Sequence, residues 1–419
     1  MAMWTQIRAV GRGLRLLVIA LVLLALGNSP AVYSPLDLAV APYEFRLVQW
    51  ELANLPDKWW HRMAQALPWA SGDQTQDAEL LHRFTALAEQ LRAAKAELDR
   101  AVASGFDDGP AQARIGELQR RMDALSPRAQ AAMESQVAAV LKQEGLGSLW
   151  GGVFPPVDVV FTSTPLVLVV SPRDRIERQD SFLLNNRMTV SEMEGLETRI
   201  LEEQDLAALV LRAGGLASYP SMVDPNANLH HLVAITVHEW LHQYWFFRPL
   251  GRNYFANSTM TTLNETAADL AGDELGAVVY QAITGEAPPG LAHPADGSTP
   301  DDPEVFAFNR EMRATRLEVD RLLAEGSIGE AESFMEERRL VFVQNGYYLR
   351  KLNQAYFAFH GSYGSSPAST SPIQGQVERV RLRSASVGQF VRTMSQFGTY
   401  AEFEEYVAGL PPVPLGMDG

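Results

Sequence analysis

Cysteine is absent from the entire 419-residue chain, which removes disulfide staples, thiolate metal sites and any cysteine nucleophile at once. Positive charge is scarce as well: 35 basic residues face 50 acidic ones, a net charge of −15, and no basic stripe breaks the pattern. Phosphate recognition needs such a stripe, so nucleic acid is excluded as a partner. Histidine is rare, with eight in the chain, so a close group of them is informative. Apolar residues, in contrast, make up 47% of the sequence, enough for sizeable cores in two or three globular units.

Two of the eight histidines stand in His238-Glu239-Trp240-Leu241-His242, an H-E-x-x-H pattern. The surrounding stretch, 228–247 (NLHHLVAITVHEWLHQYWFF), is apolar on nearly every side, which predicts a helix buried within a domain. At 3.6 residues per turn, positions i and i+4 lie one above the other, so both imidazoles can reach one ion. A buried helix must account for two histidines and a glutamate, because unpaired polar groups are costly inside. Zinc accounts for all three: His238 and His242 as ligands, and Glu239 close enough to take a proton from water without binding metal. The plainer alternative is a core helix whose histidines find backbone or carboxylate partners. His230 and His231, one or two turns earlier, are expected to be capping or surface residues.

Downstream stands Asn264-Glu265-Thr266-Ala267-Ala268-Asp269. With H-E-x-x-H on one helix and N-E-x-x-x-D on the next, residues 205–285 resemble the gluzincin group of zinc metallopeptidases, the thermolysin-like clan. The resemblance implies Glu265 as the third zinc ligand and Asp269 as the carboxylate that orients a ligand histidine. It also implies an α+β catalytic core in which a small sheet lies beside two ligand-bearing helices, joined by an irregular loop, 248–261. The edge strand of that sheet would hold an extended peptide by backbone pairing, and 216–222 is the candidate edge. In gluzincins a tyrosine or histidine outside the ligand helices stabilises the oxyanion. Tyr254, His360 and Tyr363 are the candidates, and no pattern chooses among them. The free-amino-terminus clamp of one gluzincin aminopeptidase family, G-x-M-E-N, is missing, since Gly215-Leu216-Ala217-Ser218 holds no glutamate; endopeptidase and aminopeptidase both stay open.

At the N-terminus, Arg8, Arg12 and Arg15 precede an apolar run, Leu16 to Leu26. This is the pattern of an export signal or an uncleaved anchor with cytoplasmic arginines. The rest of the chain is then expected outside the cytoplasm, membrane-anchored, secreted or periplasmic. The expected organisation is a signal or anchor over 1–30 and a helical region with a helical hairpin over 31–149. A sheet and zinc core follow over 150–285, then a Pro/Gly-rich loop over 286–303 and a helical C-terminal region over 304–419. Stripes such as Leu80, Phe84, Leu87, Leu91 and Ile115, Leu118, Met122 mark the hairpin, with a break at 105–110 and a Trp-rich patch (Trp50, Trp59, Trp60, Trp69) before it. The whole predicts a predominantly helical α+β, gluzincin-like zinc metallopeptidase acting on peptides or proteins and meeting the membrane through its N-terminal segment. The alternative is a membrane-anchored helical binding or scaffolding protein with a structural or vestigial zinc site.

Overall fold

The computed structural model of the chain describes residues 33–54, 74–104, 109–148, 151–288 and 306–411. The export segment, Trp59, Trp60 and Trp69, the break at 105–108 and most of the 286–303 loop lie outside the described residues. Among those described, no helix is long and apolar enough to cross a membrane. The architecture is predominantly helical α+β, with two three-stranded sheets.

The first half holds α1 (Pro35–Val40), the long helices α2 (Gln74–Ser104) and α3 (Gly109–Gln143), strands β1 (Val159–Phe161), β2 (Leu166–Pro172) and β3 (Asp180–Leu184), and α4 (Val190–Gln204). Strands β4 (Leu206–Arg212), β5 (Gly215–Leu216) and β6 (Ser221–Val223) lead into α5 (Leu229–Phe246), the one-turn α6 (Pro249–Arg252) and α7 (Ser258–Thr284). Among the described residues, six helices follow: α8 (Phe308–Ala324), α9 (Ile328–Gln344), α10 (Gln354–His360), α11 (Ile373–Leu382), α12 (Val387–Met394) and α13 (Tyr400–Ala408).

The larger sheet has the order β3-β2-β4, antiparallel throughout. Successive side chains of a strand point to opposite faces, and here both faces are covered. Leu166, Leu168 and Val170 pack with Leu36 of α1 and Leu196 and Ile200 of α4. Val167 and Val169 pack with Met312 of α8, Phe342 of α9 and Phe357 of α10. That double burial is why β2 is an uninterrupted apolar run rather than an alternating one. Helix α4 was not anticipated between the strands. A capping box starts it: Glu192 N donates to Thr189 Oγ1 (3.3 Å) and Thr189 N to Glu192 Oε2 (2.7 Å).

Helix α5 is the centre of the other core. Its Trp240 and Trp245 are buried among residues of α2, α3, α7 and the C-terminal helices, including Phe84, Met133, Leu275 and Phe390. Most of its length is buried, with His231 and Phe246 near its ends exposed, the condition its mostly apolar sequence implied. Helix α7 lies against it at backbone distance. A Cβ on Gly276 would sit 2.8 Å from Ala234 Cα, and one on Gly272 would sit 3.2 Å from His238 Cβ. These two glycines let the helices approach closely enough to share a point between their side chains.

Candidate metal centre

Helix α5 starts at Asn228, whose Oδ1 accepts from His231 N at 2.9 Å. His231 gives only its backbone to this cap. His230 is buried, its ring 5.3 Å from that of Tyr280, so the expectation of a capping or surface role fails for it: it points into the helix packing.

Two turns on, the rings of His238 and His242 meet edge-on with centroids 4.7 Å apart. Their Nε2 atoms are 2.9 Å apart, and Glu265 Oε2 of α7 stands 3.4 Å from the first and 3.6 Å from the second. Each ring is gripped from behind. His238 Nδ1 lies 3.2 Å from Asp269 Oδ1, and His242 Nδ1 lies 2.8 Å from Asn264 Oδ1, the Asn264 amide being turned by its donation to Leu250 O at 3.4 Å. With acceptors behind both Nδ1 atoms, each ring in its neutral form carries its hydrogen there and turns its Nε2 lone pair toward the other ring.

Glu265 Oε2 is buried without a hydrogen-bond partner. Three electron-rich atoms therefore converge on one point, an arrangement a cation reverses from repulsive to favourable. A tetrahedral ion ~2.0–2.1 Å from each donor separates donors by ~3.3 Å, and the three observed distances bracket that value. The cluster fits a metal ion held by His238, His242 and Glu265.

The electrostatics agree. Burial opposes the charge of Glu265, but His242 and His238 outweigh it and hold the carboxylate well below its ordinary range. Burial likewise opposes a proton on His238, yet Asp269 and Glu265 raise it well above its usual value. The pocket is built to retain positive charge.

Glu239 stands beside the cluster, buried and without a share in it. Burial raises its carboxyl above the ordinary range against the pull of His238 and His242. Its carboxylate rests on β5, where a Cβ on Gly215 would come within 2.2 Å of Glu239 Oε1.

The structure separates the three oxyanion candidates. The Tyr254 hydroxyl donates to Glu265 Oε1, so its proton is engaged in orienting a ligand. Tyr363 borders the cleft with its ring 6.5 Å from His238, and its hydroxyl has no hydrogen bond among the described residues. Burial raises its phenol well above its ordinary value and keeps it a donor. Donation from Gly364 N to Thr266 Oγ1 (3.0 Å) ties its turn to α7. His360 is not brought to the site. It closes α10, the chain turns at Gly361, and its ring stacks 4.3 Å from that of Tyr356, where burial pushes it down to about 4.

Two further expectations are corrected. The stretch 216–222 is not one edge strand: the chain turns at Pro220, and β6 runs between β1 and β5, so Ser221 and Met222 are interior. Only Gly215 to Tyr219 borders the cleft. The connection 248–261 is not wholly irregular, since it contains α6, and α7 begins at Ser258.

Three contributors were not foreseen. Asn264 was within the quoted motif but given no role. Gln243, one residue past His242, donates to Ser218 O and to Ser221 Oγ (2.8 Å), fixing the β5–β6 connection to α5. Arg178 arrives from the β2–β3 connection, 60 residues upstream of His238 (238 − 178), and no local pattern marks it.

The metal cluster and Glu239 form the floor of a cleft of about 1070 Å³, walled by the backbone of Gly215 to Tyr219 and by apolar side chains that include Phe182, Leu216, Phe247 and Phe255. Such a volume is that of a ligand-binding cleft. The chain matches no family model, and no curated protein or solved structure is significantly similar to it.

Proposed function

We propose that this chain is a zinc-dependent metallopeptidase of the gluzincin type, exported or tethered to a membrane by its N-terminal segment and acting outside the cytoplasm. One observation carries the reading: at the floor of a peptide-sized cleft, a His-His-Glu donor set stands beside a buried carboxylate, Glu239, that the donor set does not use. A purely structural metal needs no such neighbour.

When bound, zinc supplies Lewis acidity, polarising a carbonyl and lowering the pKa of water to about 7. Glu239 accepts the proton of the attacking water, a task for which a carboxyl raised above its ordinary range by burial is suited. The same carboxyl then delivers that proton to the leaving amine. Tyr363 donates its hydroxyl hydrogen to the developing oxyanion, a contribution made in the transition state. Gly215 and Leu216 present an edge to an extended substrate, in the manner of added-strand recognition. Tyr254, Asp269 and Asn264 hold Glu265, His238 and His242 in their donor orientations.

The test separates ligand from base. Glu239→Gln should retain near-stoichiometric zinc and lose hydrolysis of a mixed peptide library, whereas Glu265→Ala should lose both. Wild-type turnover by Glu239→Gln, or a wild-type protein that binds zinc and cleaves nothing, would return the site to a structural role in a binding protein.

A further inference from the structure

Three arginines lie on the connection between β2 and β3, and they are treated differently. Arg173 pairs with Asp205 (2.5 Å) and Glu332 (2.7 Å), and Arg175 with Glu177 (2.6 Å) and Asp174 (3.0 Å). Arg178 turns into the cleft, where Nε donates to Ser181 Oγ at 2.6 Å and Cζ lies 5.8 Å from the centre of the Phe359 ring. Among the described residues no carboxylate comes within ion-pair distance of it. Apart from the two ligand histidines, it is the one basic side chain on a cleft wall that is otherwise mostly apolar. A guanidinium so placed is weakly compensated, and its planar fork matches a carboxylate.

Its position relative to the donor set is close. Arg178 lines the same cleft as Tyr254, whose hydroxyl donates to Glu265, and its guanidinium lies against Phe359, the neighbour of Tyr363. The contacts from the guanidinium to the Phe359 ring (5.8 Å), from there to the Tyr363 ring (5.8 Å) and on to the His238 ring (6.5 Å) bound the separation at a few residue steps of extended chain, ~3.5 Å each. A carboxylate gripped by Arg178 thus belongs to a residue within a few positions of the bond under attack.

We propose that Arg178 anchors a substrate carboxylate, so that the cleft selects peptides presenting a carboxylate within a few residues of the scissile bond. This rests on the metallopeptidase reading. The carboxylate has two sources: the free C-terminus of a short peptide or the side chain of an internal Asp or Glu. The apolar remainder of the wall accommodates the uncharged part of either.

Binding and cleavage are measured separately. The zinc-loaded Glu239→Gln protein is titrated calorimetrically with three matched acetylated tripeptides: one with a free C-terminal carboxylate, its C-terminal amide, and an amide whose last residue is glutamate. At least one carboxylate-bearing peptide should bind about 10- to 100-fold tighter than the plain amide, the range for a charge-assisted pair shielded from bulk water. Preference for the first assigns the α-carboxylate, and preference for the third the acidic side chain. Adding Arg178→Gln should bring the ratio to near one, and Arg178→Lys should leave an intermediate ratio. Equal binding of the three peptides, no measurable binding of any, or a ratio that survives Arg178→Gln overturns the inference. Cleavage by wild-type protein is scored with the same peptides: discrimination without cleavage defeats the peptidase reading alone, and cleavage without discrimination defeats the carboxylate anchor alone.

Discussion

In the sheet β3-β2-β4 the middle strand is bonded on both edges and covered on both faces, whereas the sheet β1-β6-β5 ends in a two-residue strand with no strand paired beyond it among the described residues. In the first sheet the central strand β2 is consumed by packing, while β3 still turns Phe182 and Leu183 to the cleft. The second leaves the edge of Gly215 and Leu216 bordering the cleft beside Glu239. Strand β2 fixes where things are, and the β5 edge is left free to meet a ligand. Damage to the two should therefore appear in different measurements.

The sharpest contrast is expected at Gly215. Its missing Cβ is the space Glu239 occupies, and a displacement of about 1 Å at a reacting group costs on the order of 100-fold in rate. Gly215→Val should lower peptide hydrolysis by at least about that factor with zinc content and unfolding midpoint near wild type. Full turnover in that variant would erase the distinction drawn here. Leu168→Ala in β2 should do the reverse, removing about 3–5 kcal/mol of stability in denaturant unfolding while each folded molecule keeps its rate; an unchanged stability would mean that β2 is not the scaffold.

Within the metal centre the comparison narrows to the groups behind the two histidines. Asp269→Ala should weaken zinc affinity by about 10- to 100-fold. Asn264→Ala should weaken it less, because hydrogen bonds to a charged partner are about twice as strong as neutral ones. Equal losses, measured with a competing chelator, would show that the charge on Asp269 contributes nothing.

The smallest effect belongs to the scaffold side and depends on pH. His360 falls from its ordinary 6.5 to about 4 through burial, so between those values the unfolded chain takes up a proton the folded one refuses. The stabilisation is complete above 6.5 and is lost as pH falls toward 4, amounting to about 1.4 kcal/mol one unit below 6.5. His360→Gln should lose less stability than wild type between pH 7.5 and pH 5.5 by about that amount, compared by urea unfolding at each pH. Identical losses would refute the burial account.

How much of this was legible follows from distance along the chain. The H-E-x-x-H and N-E-x-x-x-D segments could be interpreted because helical spacing alone decides which of their residues share a face, and the donor geometry of His238, His242, Glu265 and Asp269 is as that spacing requires. Helix α4 was missed although Thr189 and Glu192 spell its capping box. The edge strand was drawn too long because Pro220 was not given its weight as a residue that interrupts strand pairing. Tyr363 and His360 are three residues apart and equivalent in sequence; only the turn at Gly361 and the tie from Gly364 to Thr266 send one to the cleft and the other into the packing. No local pattern marks Arg178, because it reaches the cleft from the β2–β3 connection, far along the chain from both motifs.

The seam of Gly272 and Gly276 gives the donor set a sensitivity of another kind. These residues are one and two turns beyond Asp269, outside the donor set, yet they fix the separation of two rods of which one carries both histidines and the other the glutamate. Wedging even a methyl group into the seam at Gly276, where 2.8 Å separates its would-be Cβ from Ala234 Cα, levers α5 and α7 apart and spreads the donors along with them. The spacing available to any cation these donors would hold is thus set partly by a caliper whose jaws close several residues away.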